Sequence, residues 1–147
     1  MNIEIRPAGD NDGDFLYRVK HEALGPLIES RWGWHEEYQR GLHEKDWQEK
    51  PWSVIYADGA AIGTVSVDRR EKAVRLGAFY LLPEHQNQGI GSQVLDRILY
   101  SCDKDQRDCV VSLLIGNRAC SLFKRHGFRE IDSDGAHTRL LRNWRYP

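Results

Sequence analysis

The chain has 147 residues, 40% of them hydrophobic and 29% charged, a mixture that folds and excludes a disordered or fibrous polymer. Its 21 Lys and Arg stand against 22 Asp and Glu, a formal net charge of -1, so no overall positive field exists to hold a nucleic acid backbone. At this length a single domain over residues 1–147 is expected.

Ile3-Glu4-Ile5-Arg6-Pro7 alternates apolar and charged residues and stops at proline, which predicts a short strand. It lacks the apolar run of a secretory leader, and nothing downstream is apolar for long enough to span a bilayer, so a cytoplasmic location without a membrane partner is expected. Asp10-Asn11-Asp12 offers N-cap oxygens to a helix with Leu16, Val19, Lys20 and Ala23 on neighbouring turns. Gly25-Pro26 is expected to break or kink it. A second helix is predicted from Glu36 to Glu49, with Tyr38 and Leu42 on one face. Between the two lies an aromatic segment, Arg31-Trp32-Gly33-Trp34-His35.

From Trp52 the pattern turns to strands. Trp52 to Ala57 and Ala61 to Asp68 flank Asp58-Gly59, a hairpin signal because both residues tolerate positive φ. A charged bend leads to Val74–Leu82, which ends at Pro83. A helix follows in which Ile90, Val94, Leu95, Ile98 and Leu99 form one apolar stripe. Cys109 to Ile115 is nearly continuously apolar, which predicts a central strand buried on both faces. A helix from Arg118 to His126 ends at Gly127, and a hairpin about Asp134-Gly135 closes the chain. The sum is an α/β fold, a mixed, largely antiparallel central sheet flanked by helices. Cys102, Cys109 and Cys120 include no CxxC pair, and the histidines lack metal-ligand spacing, so neither a disulfide framework nor a metal is expected.

Gln86-Asn87-Gln88-Gly89-Ile90-Gly91-Ser92 is a polar loop between a strand end and an amphipathic helix. Glycines let an anion approach the backbone, and the helix start adds partial positive charge, so a phosphate fits; a plain strand-to-helix turn is the alternative. The segment from Leu81 to Gly91 is similar to the acetyl-coenzyme A signature QxxGxG of the Gcn5-related N-acetyltransferase (GNAT) family, with its preceding strand, proline and acidic residue. Asn117 to Phe128 resembles that family's later helix with Asn, Ala, Tyr and Gly-Phe.

The resemblance implies the acyl-CoA N-acyltransferase (GNAT) fold and direct transfer of acetyl from acetyl-coenzyme A to a primary amine of a small molecule or side chain. It further implies that the backbone of Tyr80, Leu81 and Leu82 holds the pantetheine amides. The amides of Asn87, Gln88, Gly89, Ile90, Gly91 and Ser92 would hold the pyrophosphate, and Asn117 the later part of the arm. Phe123 stands at the cofactor where many members carry a tyrosine acid, and Arg75 and Ser112 stand where a glutamate base would be. A phenyl ring donates no proton, which raises an alternative: a coenzyme A binding or sensing protein with little turnover. For the missing base the candidates are Glu36, Glu37 and His35, against a solvated helix face. Trp32 and Trp34 either bind an amine-bearing substrate or pack as core or homodimer aromatics.

Overall fold

The computed structural model describes residues 1–146. Its strands are β1 (Ile3–Pro7), β2 (Trp52–Ala57), β3 (Ala60–Asp68), β4 (Val74–Leu81), β5 (Cys109–Leu114), β6 (Arg129–Ser133) and β7 (His137–Arg142). The helices are α1 (Gly13–Trp32), α2 (Glu36–Glu49), α3 (Ile90–Lys104) and α4 (Ala119–Arg125). Among the described residues seven strands form one mixed sheet in the order β1-β2-β3-β4-β5-β7-β6. Strands β4 and β5 pair in parallel, over Val74–Leu76 and Cys109–Val111; the helix α3 between them supplies the crossover that parallel pairing requires.

The chain divides into two compact units, Met1–Ser66 with Ala78–Asn87, and Val67–Gly77 with Gln88 onward. In the first, β1, β2 and β3 form an antiparallel meander. Asp58 (φ 49) and Gly59 (φ 85) make its tight turn in the conformation expected of Asp-Gly. Leu16, Trp52 and Val54 form a buried cluster against which Ala78 of β4 packs. Ala78 has φ 46 inside a strand, and the buried Thr64 hydroxyl donates to its carbonyl at 2.7 Å, pinning this irregular turn of the backbone.

Three expectations fail here. Of the break or kink expected at Gly25-Pro26, the break does not occur, because α1 runs on to Trp32 with Pro26 inside it. Leu24, Gly25 and Ile28 are all buried around the proline, and that packing outweighs one lost hydrogen bond. Second, α2 does not turn Tyr38 and Leu42 inward. Its buried residues are Gln39 and His43, while Tyr38 is 64% exposed. Of this pair, His43 is held because its Nε2 bonds the Gly13 carbonyl at 2.9 Å and its ring meets Tyr17 and Trp52 edge-on. Third, β5 is buried on one face only. Cys109, Val111 and Leu113 are buried, whereas Val110 and Leu114 are half-buried and Ser112 is exposed. In the second unit the buried stripe of α3 is the one predicted, extended to Cys102, and Cys102 and Cys109 are both fully buried.

Candidate active site

The glycine-bearing loop is built so that its backbone stays open. Gln86 turns back and donates its side-chain amide to the Leu81 carbonyl at 2.9 Å, which fixes the loop to the end of β4. Asn87 has φ 61 and Gly89 φ 80, and residues 87–89 are exposed. A Cβ at Gly89 would meet nothing within 4 Å, so the space outside this backbone is clear. Gly89 is the N-cap of α3, with no side-chain cap and no acidic residue in the first turn. The N–H groups of Ile90, Gly91 and Ser92 therefore lack the helical partners that later residues have. Uncapped donors, a helix start and no competing carboxylate form a fit for a phosphate-bearing group.

The three strand residues differ. The Leu82 N–H donates to the Ile62 carbonyl at 2.9 Å and is thereby committed to β3. Peptide groups alternate along a strand, so those of Leu81 lie on the edge of β4 away from β3, where the Gln86 amide occupies one carbonyl position. Asn117 is half-buried and uses its side-chain oxygen to accept from the Ala119 N–H at 2.9 Å, capping α4. Phe123 is fully buried and packs edge-on against Phe128, centroids 5.1 Å apart.

The aromatic segment is where the sequence reading changes most. Trp34 stacks flat on His21, centroids 4.2 Å apart and planes 12° apart. Its backbone N–H donates to Glu29 Oε2 at 2.6 Å and its indole Nε1 donates to Glu36 Oε2 at 2.9 Å. Glu36 also takes Arg40 Nε at 3.1 Å. The Trp34 hydrogen bond, ahead of the smaller Tyr17 and Arg40 contributions, holds the Glu36 carboxyl below the usual range, which makes it a weak base. Beside it, burial first and the Glu36 carboxylate second push the Tyr17 phenol up. Glu37 is exposed, Trp32 is 51% exposed, and His35 Nε2 lies 3.1 Å from the Trp32 carbonyl oxygen.

Trp34 also lines a cavity of about 500 Å³ with His21, Glu22, Gly25, Pro26, Glu29 and Pro83. His21, Gly25 and Glu29 are four residues apart, so α1 presents them along one stripe. The wall carries two carboxylates, of which Glu22 is paired with Arg18 at 2.7 Å, and Pro83 directly follows Leu82. Trp34 was anticipated from sequence; His21, Glu22 and Glu29 were not. No group of three or more His, Cys, Asp or Glu among the described residues is placed to hold a metal ion, and among them no helix is long and apolar enough to cross a membrane.

The family model for the acetyltransferase (GNAT) domain matches residues 48–130, from the end of α2 into the start of β6. Among solved structures, the PaiA N-acetyltransferase of Thermoplasma acidophilum in complex with coenzyme A superposes with a TM-score of 0.78 at 20% identity, over 98% of this chain and 100% of that one. An acetyltransferase of Thermus thermophilus gives 0.73 at 19% identity, over 97% of each chain. The ribosomal α-N-protein acetyltransferase RimL in complex with coenzyme A gives 0.70 at 17% identity, over 98% and 95%. At these identities the likeness is one of fold. No curated protein matches the chain.

Proposed function

Because the chain belongs to the GNAT acetyltransferase family, we propose that it transfers an acetyl group from acetyl-coenzyme A to a primary amine. The observation that carries this reading is the open backbone of Asn87 to Ser92 at an uncapped helix start, on the residues that also match the family signature. Ile90, Gly91 and Ser92 N–H groups would hold the pyrophosphate, and the Leu81 peptide the pantetheine arm. Bound acetyl-coenzyme A supplies an activated acyl carbon and a good leaving group, so proximity and orientation can provide much of the rate.

For the acceptor we favour the cavity on α1. A protonated amine gains from an indole face and from carboxylates; Glu29 and Trp34, one face of which is stacked on His21, line the cavity, and its other carboxylate, Glu22, is already paired with Arg18 at 2.7 Å. Glu36 then orients Trp34 through its indole N–H instead of removing a proton. Phe123 favours a second reading, coenzyme A binding with little turnover, since its buried ring stands at the family's tyrosine position and has no proton to give.

Calorimetry with coenzyme A and thiol release across a panel of amines test both parts. Gly89→Asp faces open space, and aspartate tolerates a left-handed backbone better than most residues, so the variant folds and its carboxylate should abolish coenzyme A binding. Glu29→Gln should raise the acceptor's KM by roughly tenfold while coenzyme A affinity stays unchanged. Undiminished coenzyme A binding by folded Gly89→Asp removes the cofactor assignment, and cofactor binding without thiol release from any amine selects the second reading.

A further inference from the structure

The cavity in the first unit brings α1 to the end of β4: its walls are His21, Glu22, Gly25, Pro26 and Glu29 of α1, then Trp34, and Pro83 directly after Leu82. The wall groups able to accept a proton are His21 and the two glutamates. Glu22 is paired with Arg18 at 2.7 Å, and Glu29 Oε2 accepts the Trp34 backbone N–H at 2.6 Å. His21 differs. Among the described residues no hydrogen bond engages its ring nitrogens, whereas His35, His43 and His126 are bonded at 3.1, 2.9 and 2.8 Å. Its ring is nonetheless held in place. Trp34 stacks flat on it, and the Tyr17 ring meets it from one turn back, centroids 6.2 Å apart. Its Cδ2 side lies against Gly25, one turn on, where a Cβ would come within 2.9 Å of that atom. The glycine leaves the imidazole the room it occupies, and a fixed ring with unengaged nitrogens is the geometry that proton removal needs.

Histidine also suits the task chemically. A side chain of that type, with an ordinary pKa of about 6.5, is a far stronger base than a carboxylate and is still unprotonated at slightly alkaline pH. The titratable groups that face His21 are Tyr17, Glu22 and Glu29, all from its own helix. The Trp34 segment brings an uncharged indole with Glu36 on its N–H at 2.9 Å, and the end of β4 brings a proline. Arg75 and the exposed Ser112, which stand at the family's base positions, leave the role of base open, since a guanidinium gives up no proton and accepts none.

We propose that His21 takes the proton from the acceptor's ammonium group in the α1 cavity, beside the end of β4. This rests on the acetyl-transfer reading above and on that cavity as the acceptor site. An unprotonated ring nitrogen of His21 removes one proton from the ammonium. The freed lone pair bonds to the acyl carbon, the carbon–sulfur bond breaks, and the departing thiolate takes the second proton from the nitrogen. An amide, a thiol and an imidazolium result; the imidazolium gives its proton to water, and nothing is oxidised or reduced.

Thiol release from acetyl-coenzyme A is followed against pH with two probes of nearly the same shape: ethylamine, cationic at neutral pH, and 2,2,2-trifluoroethylamine, neutral there. With the base in place, kcat/KM for ethylamine should be level from about pH 7 to about pH 9, because the reacting pair is unprotonated His21 and cationic amine. His21 is exposed, so His21→Gln leaves the core untouched. That variant should lose about a hundredfold at pH 7 and then climb about tenfold per pH unit with the neutral fraction of the amine, closing the gap near pH 9. Trifluoroethylamine needs no base, so its kcat/KM should fall by less than about threefold, and coenzyme A affinity by calorimetry should not change. An equal loss for both amines, or a variant curve parallel to the parent's, overturns the proposal and leaves His21 as a support for Trp34. If the parent acetylates amines and His21→Gln does so as fast, only this inference fails; if coenzyme A binds and no amine is acetylated, the acetyl-transfer reading fails with it.

Discussion

At Gly63 a side chain would have to occupy space that β4 already holds. A Cβ there would lie 2.5 Å from the Tyr80 carbonyl oxygen and 2.7 Å from Leu81 Cδ2. Backbone cannot step aside as a flexible side chain can, so Gly63→Ala should cost roughly 1–3 kcal/mol, read as a lower urea midpoint. An unchanged midpoint would mean that β4 yields at this point. Site residues were unevenly legible at this scale. The glycine loop could be singled out as a candidate because its pattern sits in seven consecutive residues, and Trp34 because aromatics are rare enough to be noticed. Its partner His21 lies 13 positions earlier and Glu29 five, in no local motif. The spacing of His21, Gly25 and Glu29 was a helical signal, but the break expected at Pro26 cut the stripe in two. Glu36 shows the opposite case: a carboxylate near aromatics suggests a base in sequence, and only the structure reveals its hydrogen bonds to Trp34 and Arg40.

Helix α1 carries its proline at a cost. Pro26 lacks the N–H that would bond the Glu22 carbonyl one turn back, so Pro26→Ala should raise stability by roughly 1–3 kcal/mol. A fall in melting temperature instead would mean that the ring's packing at the cavity matters more than the missing bond. In the second unit the last turn of α3 is tied to β7 by Asp103 and Arg142, which meet through two bonds of 2.8 and 3.0 Å with side chains 12% and 8% exposed. The Arg142 guanidinium, against a smaller opposing effect of burial and with help from the Arg145 N–H, holds the Asp103 carboxyl below its ordinary value. A carboxyl lowered in the folded state contributes stability above the unfolded value of about 4 and loses it as pH falls through the lower folded value. Asp103→Asn should therefore cost about 3 kcal/mol near pH 7, and the gap to the parent should close below about pH 4. A gap in urea unfolding that is as wide at pH 3 as at pH 7 would refute this. Elements were legible wherever a turn residue or an apolar stripe marked them, as with Asp58-Gly59 and α3. What could not be read was which neighbour each face would meet: α2 is held by the polar Gln39 and His43, and β5 exposes Ser112 in a run that looks uniformly apolar.

For the molecule as a whole, the near balance of acidic and basic residues puts the isoelectric point near 6.6. Copies repel each other least there, so thiol and binding measurements belong well above it. The placement of the three cysteines then gives the protein an internal clock. Cys102 and Cys109 have no exposed surface, while Cys120 is partly open. The Cys109 thiol is further held protonated, by its neighbour Cys102 and then by burial. A thiol-reactive dye should thus label the native protein once, promptly, at Cys120. The two further equivalents should appear only as the second unit opens. If that opening costs about 5 kcal/mol, their labelling lags the intrinsic rate by roughly 10³ to 10⁴. Three equivalents taken up together would contradict the burial. With the lag present, the unmodified chain reports its own opening rate, and any ligand that steadies the second unit will be seen as a slowing of that clock.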